Sequence, residues 1–207
     1  YHGSTFGGNP VACAAANAAF DLLADPALLA ASVELGQYMR ERLSAFGTVE
    51  QKKEFLPRLV RGEVWGAWGL TEAGAGSDAA GMRTTATRQG ECWVINGAKT
   101  FITHGRIGGV MVVIAVTDRT KGHRGISAFI VEQGTPGMSA GKKENKLGMR
   151  ASDTSEVIFD NCRVPFDRLL GEEGQGFVNT LQVLDGGRIG IAALSVGLAQ
   201  GAYEAAL

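Results

Sequence analysis

Between Glu63 and Val164 the chain is a succession of short apolar runs rich in Val, Ile, Thr, Phe and Trp, each broken by turn-forming residues. Runs of this length and composition fit a pleated surface and not a bundle of helices. VWGAWGL is the first. RTTATRQGECWVINGAKTFIT reads as strand, turn at Gln89–Gly90, strand, turn at Asn96–Gly97, strand. Asn-Gly is a strong hairpin signal, because a type I′ turn needs positive φ at both central residues. MVVIAVTD, GISAFIVEQ and SEVIFDNCRV add three more strands. Short strands at regular spacing predict an antiparallel β-barrel or sandwich, giving an α+β chain once the flanks are counted.

The flanks read as helices. Residues 1–46 hold 11 alanines and 4 glycines, whereas the remaining 161 residues hold 26 of the 30 glycines. Asn9–Pro10 and Asp25–Pro26 each combine an N-cap residue with Pro at the first helical position, so 1–46 is expected to form two helices. Thr48 with Gln51 three residues on fits a capping box. Its helix, EQKKEFLPRL, is expected to end near Pro57 or Gly62. After GEEGQGF a helix is expected from about Val178, and a second apolar stretch follows Arg188. The uncharged run from Ile189 to Tyr203 contains Ser195, Gln200 and glycines, so a buried bundle helix is preferred to a membrane span. The chain therefore divides into 1–46, 47–62, 63–170 and 171–207. It starts without Met and stops inside an apolar segment, which reads as a fragment.

Composition removes several functions. The formal net charge is −1, so the Lys/Arg surplus that nucleic-acid binding requires is missing. Cys13, Cys92 and Cys162 are too few and too scattered for a disulfide framework or a zinc site. His2, His104 and His123 have no metal-ligand spacing, and the first residues lack the basic start and apolar run of a signal peptide.

Two stretches carry chemistry. In TEAGAGSD (71–78), small residues allow backbone N–H groups to form a concavity suited to an anion or a polar cofactor edge. The stretch matches neither the P-loop nor the dinucleotide fingerprint, and taken alone an ordinary turn is the better explanation. Thr103 ends a strand two residues after Phe101. A hydroxyl beside an aromatic ring suits the edge and face of a ring cofactor, and an ordinary β-branched strand residue is the alternative.

Taken together, GTVEQKKEFLPRLVRGE, WGLTEAGAGSDAAGMRTTA, WVINGAKTFIT, GISAFIVEQGTPGM, KLGMRASDTSEVIFDNCRVP, LLGEEGQGF and LDGGRIGIAA resemble the acyl-CoA dehydrogenase family, in its order and spacing, over residues 47–207. The resemblance implies a flavin-binding β-domain (63–170) between the last helix of an N-terminal domain and the start of a C-terminal helical domain. It implies FAD as cofactor, α,β-dehydrogenation of an acyl-CoA thioester, transfer of the electrons to electron-transfer flavoprotein, and a homotetramer or dimer. The compartment would be the cytoplasm in a bacterium or the mitochondrial matrix in a eukaryote. By position, Trp68, Gly69, Leu70 and Thr71 resemble the stretch lining the flavin, and Phe101, Ile102 and Thr103 resemble the step that covers it. Ser77 resembles a residue shared by flavin and acyl-CoA, and Asp185, Gly186, Gly187 and Arg188 resemble a substrate-contacting D-x-x-R segment. Ala73 and His104 depart from the usual Pro and Asn.

The resemblance also locates a gap. The family's catalytic glutamate lies in the C-terminal helical domain or, in some members, one residue before the Arg of D-x-x-R. Here that position is Gly187, so the base is expected to be missing. HGSTFGGNPVACAAANAAFDLL and ELGQYMRERL (within 1–46) instead resemble class III, pyridoxal-phosphate-dependent aminotransferases, with Thr5 at the cofactor-phosphate position. No lysine precedes Lys52, so a Schiff-base partner is lacking there. A chimeric, non-functional chain and an aminotransferase fragment are therefore alternatives to a dehydrogenase fragment.

Overall fold

The computed structural model describes residues 46–148 and 150–207; the expected helices of 1–46, with Thr5, lie outside them. Two compact units emerge, one of them Phe46–Thr180, and Leu181–Leu207 belongs to the other.

Phe46–Thr180 opens with helix α1 (Val49–Val60). Thr48 caps it as expected: its hydroxyl accepts from the Gln51 amide, and the Gln51 side chain accepts from the Thr48 amide. The helix runs through Pro57 rather than stopping there. Gln51 Nε2 also donates to the carbonyls of Asp167 (2.6 Å) and Leu169 (2.9 Å), and Arg168 forks onto Glu54 at 2.6 and 2.8 Å. These bonds fix α1 to the far end of the β-region, more than 110 residues away in sequence.

Eight strands follow: β1 (Gly66–Gly69), β2 (Thr85–Gln89), β3 (Cys92–Thr103), β4 (Val110–Val116), β5 (Ile126–Glu132), β6 (Met138–Lys143), β7 (Thr154–Pro165) and β8 (Leu169–Leu170). They form one sheet in the order β6-β7-β3-β2-β4-β5-β8, with β1 also on β4. Most pairs are antiparallel, while β1 runs parallel to β4. One core cluster unites Trp93, Ile95, Ile102, Met111, Val113, Phe129, Val131, Val157, Phe159 and Val164, from β3, β4, β5 and β7. A second, on the other side of β4, holds Met82, Ile114, Ile126 and Ala128, with Trp68, Leu70 and Phe177 packed against it. The alternation along β4 puts Met111, Val113 and Ala115 in the first cluster and Val112, Ile114 and Val116 in the second. Strand β6 was not expected, because MSAGKK lacks the apolar alternation of a half-buried strand.

The Asn96–Gly97 turn does not form. The expected Gln89–Gly90 turn does, one residue on, as a two-residue loop of Gly90 and Glu91. At Asn96–Gly97, by contrast, β3 continues straight through. Gly97 has φ 143°, and a Cβ built there would sit 2.5–2.9 Å from Thr84 Oγ1, Cα and Cβ. The glycine serves close packing of two backbone segments, not a chain reversal. The irregularity falls on the partner strand: Asp160 and Asn161 bulge opposite Asn96, Asn161 takes φ 50°, and its amide donates to Asn96 Oδ1 at 2.8 Å.

Helix α2 (Gly176–Ala206) is a single 31-residue helix, not two segments. By length and composition it is apolar enough to cross a membrane.

Candidate functional site

The end of β3 carries a second bulge. Thr100 and Phe101 together oppose Glu156 of β7, between the pairs Lys99–Val157 and Ile102–Ser155. Phe101, within the bulge, takes φ 58°, and His104, just past the strand, takes φ 59°. Left-handed backbone at bulky residues is uncommon and costs of order 1–3 kcal/mol each. Ile102 points into the first core cluster, so Phe101 and Thr103 face the other way and are exposed, the Phe101 side chain by 64%.

The stretch Gly66–Thr71 lies beside this strand end. The Thr100 amide donates to the Thr71 carbonyl at 2.8 Å, Lys99 Nζ to the Leu70 carbonyl at 3.0 Å, and His104 Nδ1–H to the Gly66 carbonyl at 3.0 Å. Trp68–Thr71 and Phe101–Thr103, seven of the residues singled out from sequence, are thus adjacent. His104 also packs edge-on against Trp65 at 4.8 Å, so its departure from the usual Asn has a structural use. Asp153 accepts from the Arg106 amide, and its carbonyl from the His104 amide, which holds the turn after Thr103.

Next comes a tight turn. Glu72 and Ala75 exchange both backbone hydrogen bonds at 3.1 Å, which leaves Gly74, Gly76 and Ser77 exposed. No atom lies within 4 Å of where a Cβ would stand on Gly74 or Gly76, so open space borders the turn. Among the described residues, the side-chain hydroxyls of Thr71, Ser77 and Thr103 make no hydrogen bond. Trp68 Nε1 and Thr100 Oγ1 are buried without a partner among the described residues. Unpaired hydroxyls beside an exposed ring suit a planar ligand with a polar edge, which would satisfy them.

Sequence reasoning missed the group beneath this surface. Lys99 is fully buried, and its Nζ lies 2.8 Å from Glu72 Oε1. Glu72 also accepts from the amides of Arg83 (2.6 Å) and Thr84 (3.0 Å). Burial pushes the Glu72 carboxyl up, but hydrogen bonds from Lys99, Thr84 and Arg83 outweigh it and hold the group below its ordinary value of 4.5. Burial draws the Lys99 ammonium below its usual value, against the opposing pull of Glu72. The signal in the sequence was a lysine at an inward position of an apolar strand, 27 residues after a glutamate in a glycine-rich turn.

Asp185, Gly186, Gly187 and Arg188 all lie on α2, in the other unit. Arg188 pairs with Asp185 at 2.9 Å, one helical turn away, and both are exposed. The ideal Cβ position of Gly187 meets nothing within 4 Å.

Residues 67–162 match the family model for the acyl-CoA dehydrogenase middle domain, and residues 1–73 match that of class-III aminotransferases. The short-chain specific acyl-CoA dehydrogenase of Clostridium acetobutylicum is 50% identical over 164 residues, 79% of this chain and 43% of the relative. The butyryl-CoA dehydrogenase structure from Megasphaera elsdenii superimposes with a TM-score of 0.74 at 48% identity, over 78% of this chain and 42% of that one. A glutaryl-CoA dehydrogenase from Mycobacterium smegmatis, solved in complex with FADH2, gives 0.70 at 42% identity, over 77% and 40%. Residues 67–162 thus match the acyl-CoA dehydrogenase family in sequence, and the sheet is similar to that family's middle domain in fold. The chain spans about two-fifths of the length of these relatives.

Proposed function

We propose that residues 47–207 form the flavin-binding portion of an FAD-dependent acyl-CoA dehydrogenase acting on short acyl chains. The carrying observation is the surface at which Trp68–Thr71 and Phe101–Thr103 meet, with unpaired hydroxyls around an exposed ring. FAD, when bound, supplies the hydride acceptor for oxidation of the Cα–Cβ bond. The Thr71 and Thr103 hydroxyls donate to the polar edge of the flavin ring, and the Phe101 side chain covers its flat face and excludes water. Ser77, on the exposed turn, serves both flavin and acyl-CoA. Asp185 and Arg188 contact the CoA portion, with Gly186 and Gly187 leaving room between them. Gly187 has no side chain with which to take the α-proton, so that task falls to a carboxylate outside the described residues.

The division at about residues 46, 62 and 170, a helical-bundle role for α2, electron-transfer flavoprotein as electron acceptor and a homo-oligomeric parent belong to the same proposal. So does a cytoplasmic or mitochondrial-matrix location. The identity with a short-chain specific enzyme supports the substrate class.

The test is FAD titration of the purified chain, read by visible absorbance and flavin fluorescence. Thr71→Val and Thr103→Val should each weaken binding about tenfold, the worth of one lost hydrogen bond of ~1.4 kcal/mol. A wild-type chain that takes up no FAD overturns the flavin-site reading. The match of residues 1–73 to class-III aminotransferases favours a second reading, a chimeric chain with a pyridoxal-phosphate-related segment in front. Saturable, stoichiometric pyridoxal phosphate uptake that is lost on Thr5→Ala would support a functional segment there; no uptake would leave it a non-functional fusion.

A further inference from the structure

We propose that the buried Glu72–Lys99 pair is the positioning element of the candidate site, clamping Leu70–Thr71 in register against Thr100–Thr103. The inference rests on the flavin-site reading for what the clamp serves, but the clamp itself stands on geometry. Lys99 Nζ reaches Glu72 Oε1 at 2.8 Å and the Leu70 carbonyl at 3.0 Å, and approaches Met82 Sδ at 3.9 Å. Glu72 spends its other capacity on the amides of Arg83 and Thr84. One ammonium and one carboxylate therefore tie three segments together: the turn after β1, the approach to β2, and β3. Direct sheet pairing cannot do this, because β1 is paired with β4 and the β3 bulge interrupts the ladder to β7 at Thr100–Phe101.

The clamp is needed because the surface it supports is strained. Phe101 and His104 hold left-handed backbone on either side of Thr103, a conformation that persists only where surrounding structure over-determines it. Lys99 is the last residue of regular β3–β7 pairing before the bulge, so its anchoring sets where the bulge begins. The Thr100 amide, one residue on, then finds the Thr71 carbonyl. A buried ion pair adds little net stability over an apolar replacement, but fixes geometry through its directional bonds. Its expected signature is a local loss of order with little loss of global stability.

The experiment compares the wild-type chain with Glu72→Gln/Lys99→Met, which removes both charges and keeps one oxygen acceptor for one of the two amides, Arg83 or Thr84. Hydrogen exchange at the Thr100 amide should accelerate at least about tenfold, while amides of the β4–β5 ladder such as Val113 stay within about twofold. FAD affinity should fall at least about tenfold. Thr100 protection unchanged within about twofold overturns the clamp. A faster Thr100 amide with unchanged FAD affinity overturns its role in positioning the site. If the double variant does not fold, Lys99→Met alone, which leaves Glu72 its bonds from the Arg83 and Thr84 amides, carries the same readings and the same refutations. A wild-type chain that binds no FAD sinks the flavin-site reading instead, and the Thr100 amide alone then decides the clamp.

Discussion

Gly97→Ala separates the two roles that an Asn-Gly pair can play. In the structure, Gly97 has φ 143°, and a Cβ would stand 2.5 Å from Thr84 Oγ1 and 2.7 Å from Thr84 Cα. Alanine therefore meets two penalties. The backbone conformation costs about 1–3 kcal/mol for a residue with a Cβ. The contact with a backbone atom cannot be relieved by a side-chain rotation, so β2 and β3 must separate, adding about 1–3 kcal/mol of overpacking strain. The sum is about 2–6 kcal/mol. Gly90→Ala is the control: it too has positive φ (60°), but nothing lies within 4 Å of its Cβ position. It should cost only about 1 kcal/mol. Urea unfolding of the two variants, followed by tryptophan fluorescence, gives the difference. Thr84→Ala, which removes Oγ1 but leaves Cα, should rescue Gly97→Ala only in part. Equal costs for Gly97→Ala and Gly90→Ala would refute the close-packing argument and restore the reading of Asn96–Gly97 as an open turn.

Three further outcomes are expected. Because Glu72 is held below its unfolded value of 4.5, its contribution to stability is fully present above that pH and is lost as pH falls through the lower folded value; Glu72→Gln should flatten the acid side of a stability-versus-pH curve measured by urea unfolding, and an unchanged slope would refute it. Gln51→Ala should destabilise by about 2–3 kcal/mol in the same assay, since it strands the Asp167 and Leu169 carbonyls and the Thr48 amide, and a loss under about 0.5 kcal/mol would show that water replaces those bonds. Burial pushes the Cys162 thiol up to about 11, so iodoacetamide at pH 8 should leave Cys162 unlabelled in the folded protein and label it after unfolding, as mapped by peptide mass spectrometry.

The local signals were legible where a single segment decides its own conformation. The Thr48–Gln51 capping box, the strands around Val113, Phe129 and Val157, and the Gly90 turn follow from side-chain periodicity and backbone preference alone. That Trp68–Thr71 and Phe101–Thr103 lie side by side was suggested only by the resemblance of their motifs. Asn96–Gly97 was misread for a physical reason. Positive φ is required both at a tight turn and where two backbones touch, and the pair of letters does not say which. Strand β6 was illegible because MSAGKK gains its conformation by hydrogen bonding to β7 rather than from its own apolar pattern.

Sequence by itself thus determined most of the strands, the Thr48 cap and the Gly90 turn, and the family that residues from about 47 onward resemble. Tertiary structure decided what lies far apart in the chain but close in space. It set the Glu72–Lys99 pair across 27 residues and the Gln51 bonds across more than 110. It also opposed the β7 bulge to Asn96 and placed a second bulge that turns Phe101 outward. The reason is common to all of them. Backbone preference and apolar periodicity act within a few residues, whereas the partner of a buried charge or of a strand edge is chosen only when the sheet closes around one core.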